Sequence, residues 1–199
     1  MPGFPIIDTH VHLWDPARLR YPWLAGLPRL NRRHSVEEFR AACGPVGVGK
    51  IVFVECGCDR TFSHEEVVWV SGLAATEPRL RGIVAHAGLE KGDAVEDDLA
   101  RLATLPLVKG IRRLLQEEKD DAYCLRPDFI RGVQLLPRFG FTFEGIFRQH
   151  LIVKGRNRDT AWFAMLDKDW QPIRTGFERW LRPENFDDKG RQKAKLQVA

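Results

Sequence analysis

The chain has 199 residues, 44% of them hydrophobic and six of them Trp, with a formal charge of +4. That is apolar material for one ordinary domain or two small ones, and the chain reads as globular and soluble. No stretch approaches the roughly 20 apolar residues of a membrane span, and the first residues lack a basic stretch followed by an apolar signal core, so no membrane partner is expected and the cytoplasm is the expected compartment. The four cysteines, Cys43, Cys56, Cys58 and Cys124, fit no zinc-ribbon or redox spacing and read as buried thiols of a reducing compartment. Charge is unevenly spread: residues 146–199 carry 12 Lys/Arg against 7 Asp/Glu, and residues 1–145 carry 19 against 20. The basic surplus of the C-terminal third reads as a solvated tail, and with no nucleic-acid motif in it, no nucleic-acid partner is expected.

The first predicted element is a short buried strand, Ile6-Ile7-Asp8, running into Thr9-His10-Val11-His12. Side chains two apart on a strand share a face, so the imidazoles of His10 and His12 can converge just beyond its carboxyl end. A divalent metal suits such a pair, while the alternative is two capping or solvent-facing histidines in a turn. A Pro- and Trp-rich loop follows from Trp14 to Pro28. Ser35 then caps a helix over 36–42, with Glu38 as the capping-box acid and Gly44-Pro45 closing it. Residues 50–55 form a second buried strand that ends on Glu55.

Apolar spacing at Val67, Val70, Leu73 and Ala74 predicts a helix over 63–77 stopped by Pro78. Residues 81–87 give a third strand with His86 near its end. A helix from Asp93 or Ala94 runs through Leu99, Leu102 and Leu105. Residues 108–114 form a fourth strand that delivers Arg112 and Arg113, one of which must face away from the other because strand side chains alternate. A further helix spans 127–136, with Pro at an N-terminal position. Strands alternating with helices imply a parallel sheet with helical crossovers, an open doubly wound sheet or part of a (β/α)8 barrel. In a barrel, chemistry belongs at the carboxyl ends of the strands, where His10, His12, Glu55, His86, Arg112 and Arg113 all fall. The alternative for Glu55 is pairing with a neighbouring Arg, and for His86 a satisfied core histidine.

Ile7-Asp8-Thr9-His10-Val11-His12-Leu13-Trp14-Asp15, Phe53-Val54-Glu55, Gly82-Ile83-Val84-Ala85 and Val108-Lys109-Gly110-Ile111-Arg112-Arg113-Leu114-Leu115-Gln116 resemble the amidohydrolase superfamily, in its sugar-lactonase and dicarboxylate-lactone hydrolase branch. Leu125-Arg126-Pro127-Asp128-Phe129 and residues 132–136 continue the match, which covers about residues 4–143. The resemblance implies a (β/α)8 barrel that hydrolyses a lactone as its small-molecule substrate. It implies His10 and His12 as ligands of a divalent metal, zinc foremost, although some lactonases of this branch act without one. Arg112 and Arg113 match a place where such enzymes engage substrate oxygens or a carboxylate. Glu55 and His86 complete the expected catalytic set.

Such barrels need roughly 250 residues and further ligands from later strands. The sequence has no later His-bearing strand except for His150, and no terminal Gly-Asp-Trp-Pro-like stretch. The fold class expected is therefore α/β: a partial (β/α)8 barrel half over residues 1–143, followed by a β-hairpin and a C-terminal helix over 144–199. A half barrel exposes its inner face and sheet edges, so a homo-oligomer or a partner chain is expected to cover it.

From Phe139 the character changes. Residues 139–150 and 154–166 read as two strands of a hairpin, and 169–181 as an amphipathic helix with Ile173, Phe177, Trp180 and Leu181 on one face. Gly140-Phe141 through Glu144-Gly145, Arg158-Asp159-Thr160-Ala161, Asp169-Trp170 and Pro183-Glu184-Asn185-Phe186-Asp187 resemble the C-terminal end of Gcn5-related N-acetyltransferases. The Gly-rich pyrophosphate turn of that family is absent, so this portion reads as a fragment joined to the barrel half near Gly140. Lactone hydrolysis is the leading expectation; a non-catalytic truncated or fused scaffold and an acetyltransferase fragment are the alternatives.

Overall fold

The computed structural model describes residues 4, 6–116, 118–120, 122–153, 156–165, 167–188 and 191–197, leaving out the side chains of 146, 147, 149–153, 156–162, 164 and 167. The chain divides into two units, residues 1–88 with 105–114 and residues 89–104 with 115–199.

In the first unit, β1 (Ile6–Val11), β2 (Val48–Val54), β3 (Leu80–His86) and β4 (Val108–Arg112) form one parallel sheet in sequence order. Helices α1 (Val36–Cys43) and α2 (Ser63–Leu73) supply the first two crossovers. The capping box forms as expected, with the Glu38 amide donating to Ser35 Oγ and the Ser35 amide donating to the Glu38 carboxylate. Helix α2 ends at Leu73, before Pro78, because the chain turns at 74–77 to bring Glu77 inside. There the Glu77 carboxylate is gripped by Arg79, at 2.8 and 2.9 Å, and by Arg40 Nε at 3.0 Å, tying α1 to the turn before β3. The Arg79 hydrogen bonds hold Glu77 down to a pKa of about 2.

One face of the sheet, built from Ile51, Phe53, Ile83 and Ala85, is fully buried, as are Val67 and Val70 of α2. On the other face Val52, Val84, His86 and Arg112 are half-buried. Strand β1 departs from the expectation of a buried strand: it is a sheet edge, and Ile7 is 52% exposed. A second cluster joins Leu19, Tyr21, Leu24 and Cys58 with Trp14, Trp23, Cys56 and Trp69, so the Pro-rich loop has a core of its own. Glu66 of α2 is 1% exposed, and neither of its carboxyl oxygens has a hydrogen-bond partner among the described residues. Burial, with the Glu55 charge adding to it, pushes its pKa up to about 8.

All four cysteines are free thiols; Cys58 is buried, Cys43 and Cys56 are partly covered, and Cys124 is exposed rather than buried. No helix of the described residues is long and apolar enough to cross a membrane.

In the second unit, a 3-10 stretch (Leu89–Val95) replaces the start of the expected helix, and α3 (Glu96–Ala103) follows, burying Leu99 and Leu102. Helix α4 (Pro127–Leu135) packs on that 3-10 stretch through Gly132, where a Cβ would fall 2.0 Å from the Leu89 carbonyl oxygen. Helix propensity alone would favour Ala there; the close approach of backbone requires Gly. The hairpin strands β5 (Thr142–Val153) and β6 (Arg156–Ala164) are antiparallel, with Phe143 opposite Phe163. Helix α5 (Asp167–Trp180) buries Ile173 and Phe177, whereas Leu181 lies past its end and is exposed. Gly140, at φ 82°, leaves room for Ile173 that a Cβ would take away.

Gly132→Ala should destabilise the second unit by roughly 3 kcal/mol, the cost of a backbone clash that cannot relax through a side chain, readable in denaturant unfolding. Glu66 has a raised folded-state pKa, so its ionisation opposes folding increasingly as pH climbs from the unfolded value of 4.5 through about 8. Glu66→Gln should match wild type near pH 4.5 and exceed it at pH 9 by roughly 3–5 kcal/mol in the same unfolding assay.

Candidate active site

Because β1 to β4 are parallel, their carboxyl ends lie on one side of the sheet. His10 is the penultimate residue of β1, and His12 follows its last. His12 Nδ1 lies 2.8 Å from the Val54 carbonyl oxygen, which can only accept, so Nδ1 carries the proton and Nε2 presents its lone pair in the neutral ring. His10 Nε2 sits 3.2 Å from that Nε2, with the two rings nearly perpendicular. The His10 amide donates to Asp8 Oδ1 at 3.1 Å, which fixes the backbone turn that carries the ring.

Glu55, just past β2, is 2% exposed. Its Oε2 accepts from the Gly57 amide at 2.8 Å, and its Oε1 lies 3.3 Å from Arg112 Nε in an ion pair without hydrogen-bond alignment. Arg112 also donates from Nη1 to the Glu55 carbonyl at 3.4 Å. His86 is the residue opposite Arg112 across the β3–β4 ladder. Arg113, one residue past β4, donates to the Leu114 carbonyl, and Arg112 joins Glu55. His10, His12, Glu55 and Arg112 therefore form one cluster. The side chain of His150 lies outside the described residues.

Partial burial lowers the pKa of both imidazoles. For His10, the His12 ring and the Arg112 guanidinium lower it further; for His12, Arg112 does so. Both rings are thus biased toward the neutral form that binds metals. Two nitrogens bound to one tetrahedral zinc at about 2.0–2.1 Å stand about 3.3 Å apart, close to the separation of the two Nε2 atoms. The Val54 carbonyl supplies the second-sphere acceptor that orients a ligating imidazole. The pair therefore fits two positions of a metal's coordination sphere, and among the described residues no set of three or more His, Cys, Asp or Glu forms a complete one.

Sequence reasoning missed Val54, which acts through its backbone carbonyl and leaves no side-chain signal. It also left the Pro-rich loop unassigned: Trp14 bridges to His34 and stacks on it at 4.1 Å, and Trp23 Nε1 donates to the Cys56 carbonyl at 2.7 Å, which lays the loop beside the strand ends.

A protein family described as Amidohydrolase matches residues 7–153, a span that contains all six candidate residues. Uncharacterized protein y4mH of Sinorhizobium fredii is 29% identical over 161 residues, which cover 72% of this chain and 54% of that protein. The solved structure of an amidohydrolase from Burkholderia multivorans with bound zinc is 28% identical, with a TM-score of 0.53, over 67% of this chain and 45% of its own. A GCN5-related N-acetyltransferase from Brucella melitensis is 57% identical over 33% of this chain and 30% of its own, with a TM-score of 0.29. The chain thus spans about half the length of these relatives, 54% of the Sinorhizobium protein and 45% of the Burkholderia one.

Removing one partner of the Glu55–Arg112 pair strands a buried charge. Arg112→Gln should cost about 1–3 kcal/mol, less than for a fully enclosed pair because Arg112 is partly open to water, and the double change with Glu55→Gln should recover much of the loss in a double-mutant cycle.

Proposed function

Since this chain belongs to the amidohydrolase family, we propose that its strand-end cluster opens a lactone, the cyclic ester of a sugar acid or of a small dicarboxylic acid, with the help of a divalent metal ion. The observation that carries this reading is the His10–His12 pair, with Nε2 atoms 3.2 Å apart and one ring anchored on Val54, beside a buried Glu55–Arg112 ion pair. A divalent ion, zinc foremost, supplies Lewis acidity toward an ester carbonyl and lowers the pKa of a water molecule toward neutrality.

The chain's own residues do the rest. His12, its Nδ1 proton committed to Val54, keeps a lone pair directed at the site, and His10 supplies the second imidazole. Arg112 recognises the carboxylate of the substrate and offsets the negative charge that grows on the carbonyl oxygen during attack. Glu55 acts as a positioning residue: buried and held by the Gly57 amide, it aims the guanidinium. Arg113 adds positive charge at the same strand end. Breaking the ring carbon–oxygen bond leaves an alkoxide that needs a proton, and His86, across the ladder from Arg112, is assigned its delivery.

A second reading, a non-catalytic scaffold, is favoured by one observation: among the described residues the histidine pair has no third ligand of the His, Cys, Asp or Glu type. The two readings separate in one experiment, metal content by mass spectrometry with a lactone-hydrolysis screen on wild type and on His10→Ala/His12→Ala. Catalysis predicts about one metal per site in wild type, lost in the variant together with at least about a hundredfold of hydrolytic rate. Wild type that retains no metal and opens no lactone would leave the scaffold reading.

A further inference from the structure

We propose that the carboxyl group of Glu66 is a pH-operated latch for the loop from Trp14 to Pro28: uncharged, it lies shut beneath the loop's core, and ionised, it drives the loop off the end of β2. Glu66 stands in the first turn of α2 and is 1% exposed. Trp69, three residues on and so on the same helix face, packs against the loop core of Leu19, Tyr21, Leu24 and Cys58. That face of α2 therefore meets the loop. The groups around the carboxyl are acids, thiols and a phenol: Tyr21 from the loop, and Glu55, Cys56 and Cys58 from the segment after β2. Burial raises the pKa of the Tyr21 phenol and of both thiols, so these three stay uncharged. The cations nearby are engaged elsewhere: Arg20 with Asp59 at 3.3 Å, Arg112 with Glu55 at 3.3 Å, and Arg18 over the Trp69 ring at 5.9 Å. A carboxylate formed under the loop has no ion-pair partner among the described residues and must reach water.

The loop gives way before the sheet does. Its core is four buried residues, and it is tied to the segment after β2 by Trp23 Nε1 donating to the Cys56 carbonyl at 2.7 Å, by the Asp59 amide donating to the Arg20 carbonyl at 2.8 Å, and by the Arg20–Asp59 pair. Strands β2 and β3 are instead paired on both sides within the sheet. A segment with so small a core opens locally at a lower free energy than the fold as a whole. Cys56 and Tyr21 favour the Glu66 carboxylate, but burial and the Glu55 charge outweigh them and push its pKa up to about 8, so the latch works at mildly alkaline pH. The segment freed by opening carries Gly57, whose amide holds Glu55 at 2.8 Å, so opening also loosens the Glu55–Arg112 pair at the strand ends. The effect of that loosening on catalysis rests on the hydrolytic reading above; the latch does not.

Hydrogen exchange on the full chain, read as protection factors from pH 6 to pH 10, tests the proposal. Opening turns a carboxyl that titrates at about 8 into one that titrates at its ordinary 4.5, so the open fraction should grow about ninetyfold between pH 6 and pH 9 and level off above that. Peptides covering residues 19–25 and 56–59 should lose that much protection and stay less protected than β2 and β3 at every pH, with the far-UV circular dichroism unchanged. Glu66→Gln has no charge to gain, and in it the same peptides should hold their protection within about threefold. Carboxyl-carbon NMR on wild type labelled at Glu needs no variant: one Glu carboxyl should titrate near pH 8, and exchange should level off where that titration ends. No Glu carboxyl titrating above pH 7, an equal loss of protection in Glu66→Gln, or loop and strand peptides opening as one unit would each overturn the latch. A working latch in a chain that holds no metal and opens no lactone would count against the hydrolytic reading alone.

Discussion

The parallel sense of β1 to β4 is the constraint on which the candidate site depends. It sends four carboxyl ends to one side, so residues far apart in the chain meet there: His12 reaches the Val54 carbonyl on β2, and Arg112 reaches back from β4 to Glu55. In an antiparallel sheet the ends of neighbouring strands point in opposite directions, and no such convergence would arise. The helical crossovers make the parallel order possible, and the fully buried sheet face, with Ile51, Phe53, Ile83 and Ala85, stabilises it.

Polar groups are buried in the first unit in two different ways. Glu77 sits among arginine donors, so its charge is retained and couples α1 to the turn before β3. For Glu66, burial and the Glu55 charge outweigh the nearby Cys56 and Tyr21 groups and push it toward its neutral form. Glu55 stands between these cases, with one oxygen on the Gly57 amide and the other in an unaligned ion pair. Such incompletely satisfied groups are costly to a fold, and they gather around the loop and strand ends where chemistry is proposed.

The second unit follows different rules. Its fit relies on glycines at close contacts, Gly132 against the Leu89 carbonyl and Gly140 against Ile173, and on the aromatic pair Phe143–Phe163 across the hairpin. The hairpin is local in sequence, pairing residues 142–153 with 156–164. The amidohydrolase family match instead extends over residues 7–153.

Short-range patterns were legible in the sequence by itself. Short apolar runs announced the four strands, Ser35 and Glu38 announced the start of α1, and the spacing of His10 and His12 announced two imidazoles on one face, because each depends only on neighbours a few residues away. Tertiary structure decided what depends on distant partners: that β1 is an edge with Ile7 exposed, that Arg112 meets Glu55, that Val54 sets the His12 tautomer, and that α2 ends early so that Glu77 can meet Arg40 and Arg79. A strand's period says which side chains share a face, but only the register of its neighbours says what that face meets.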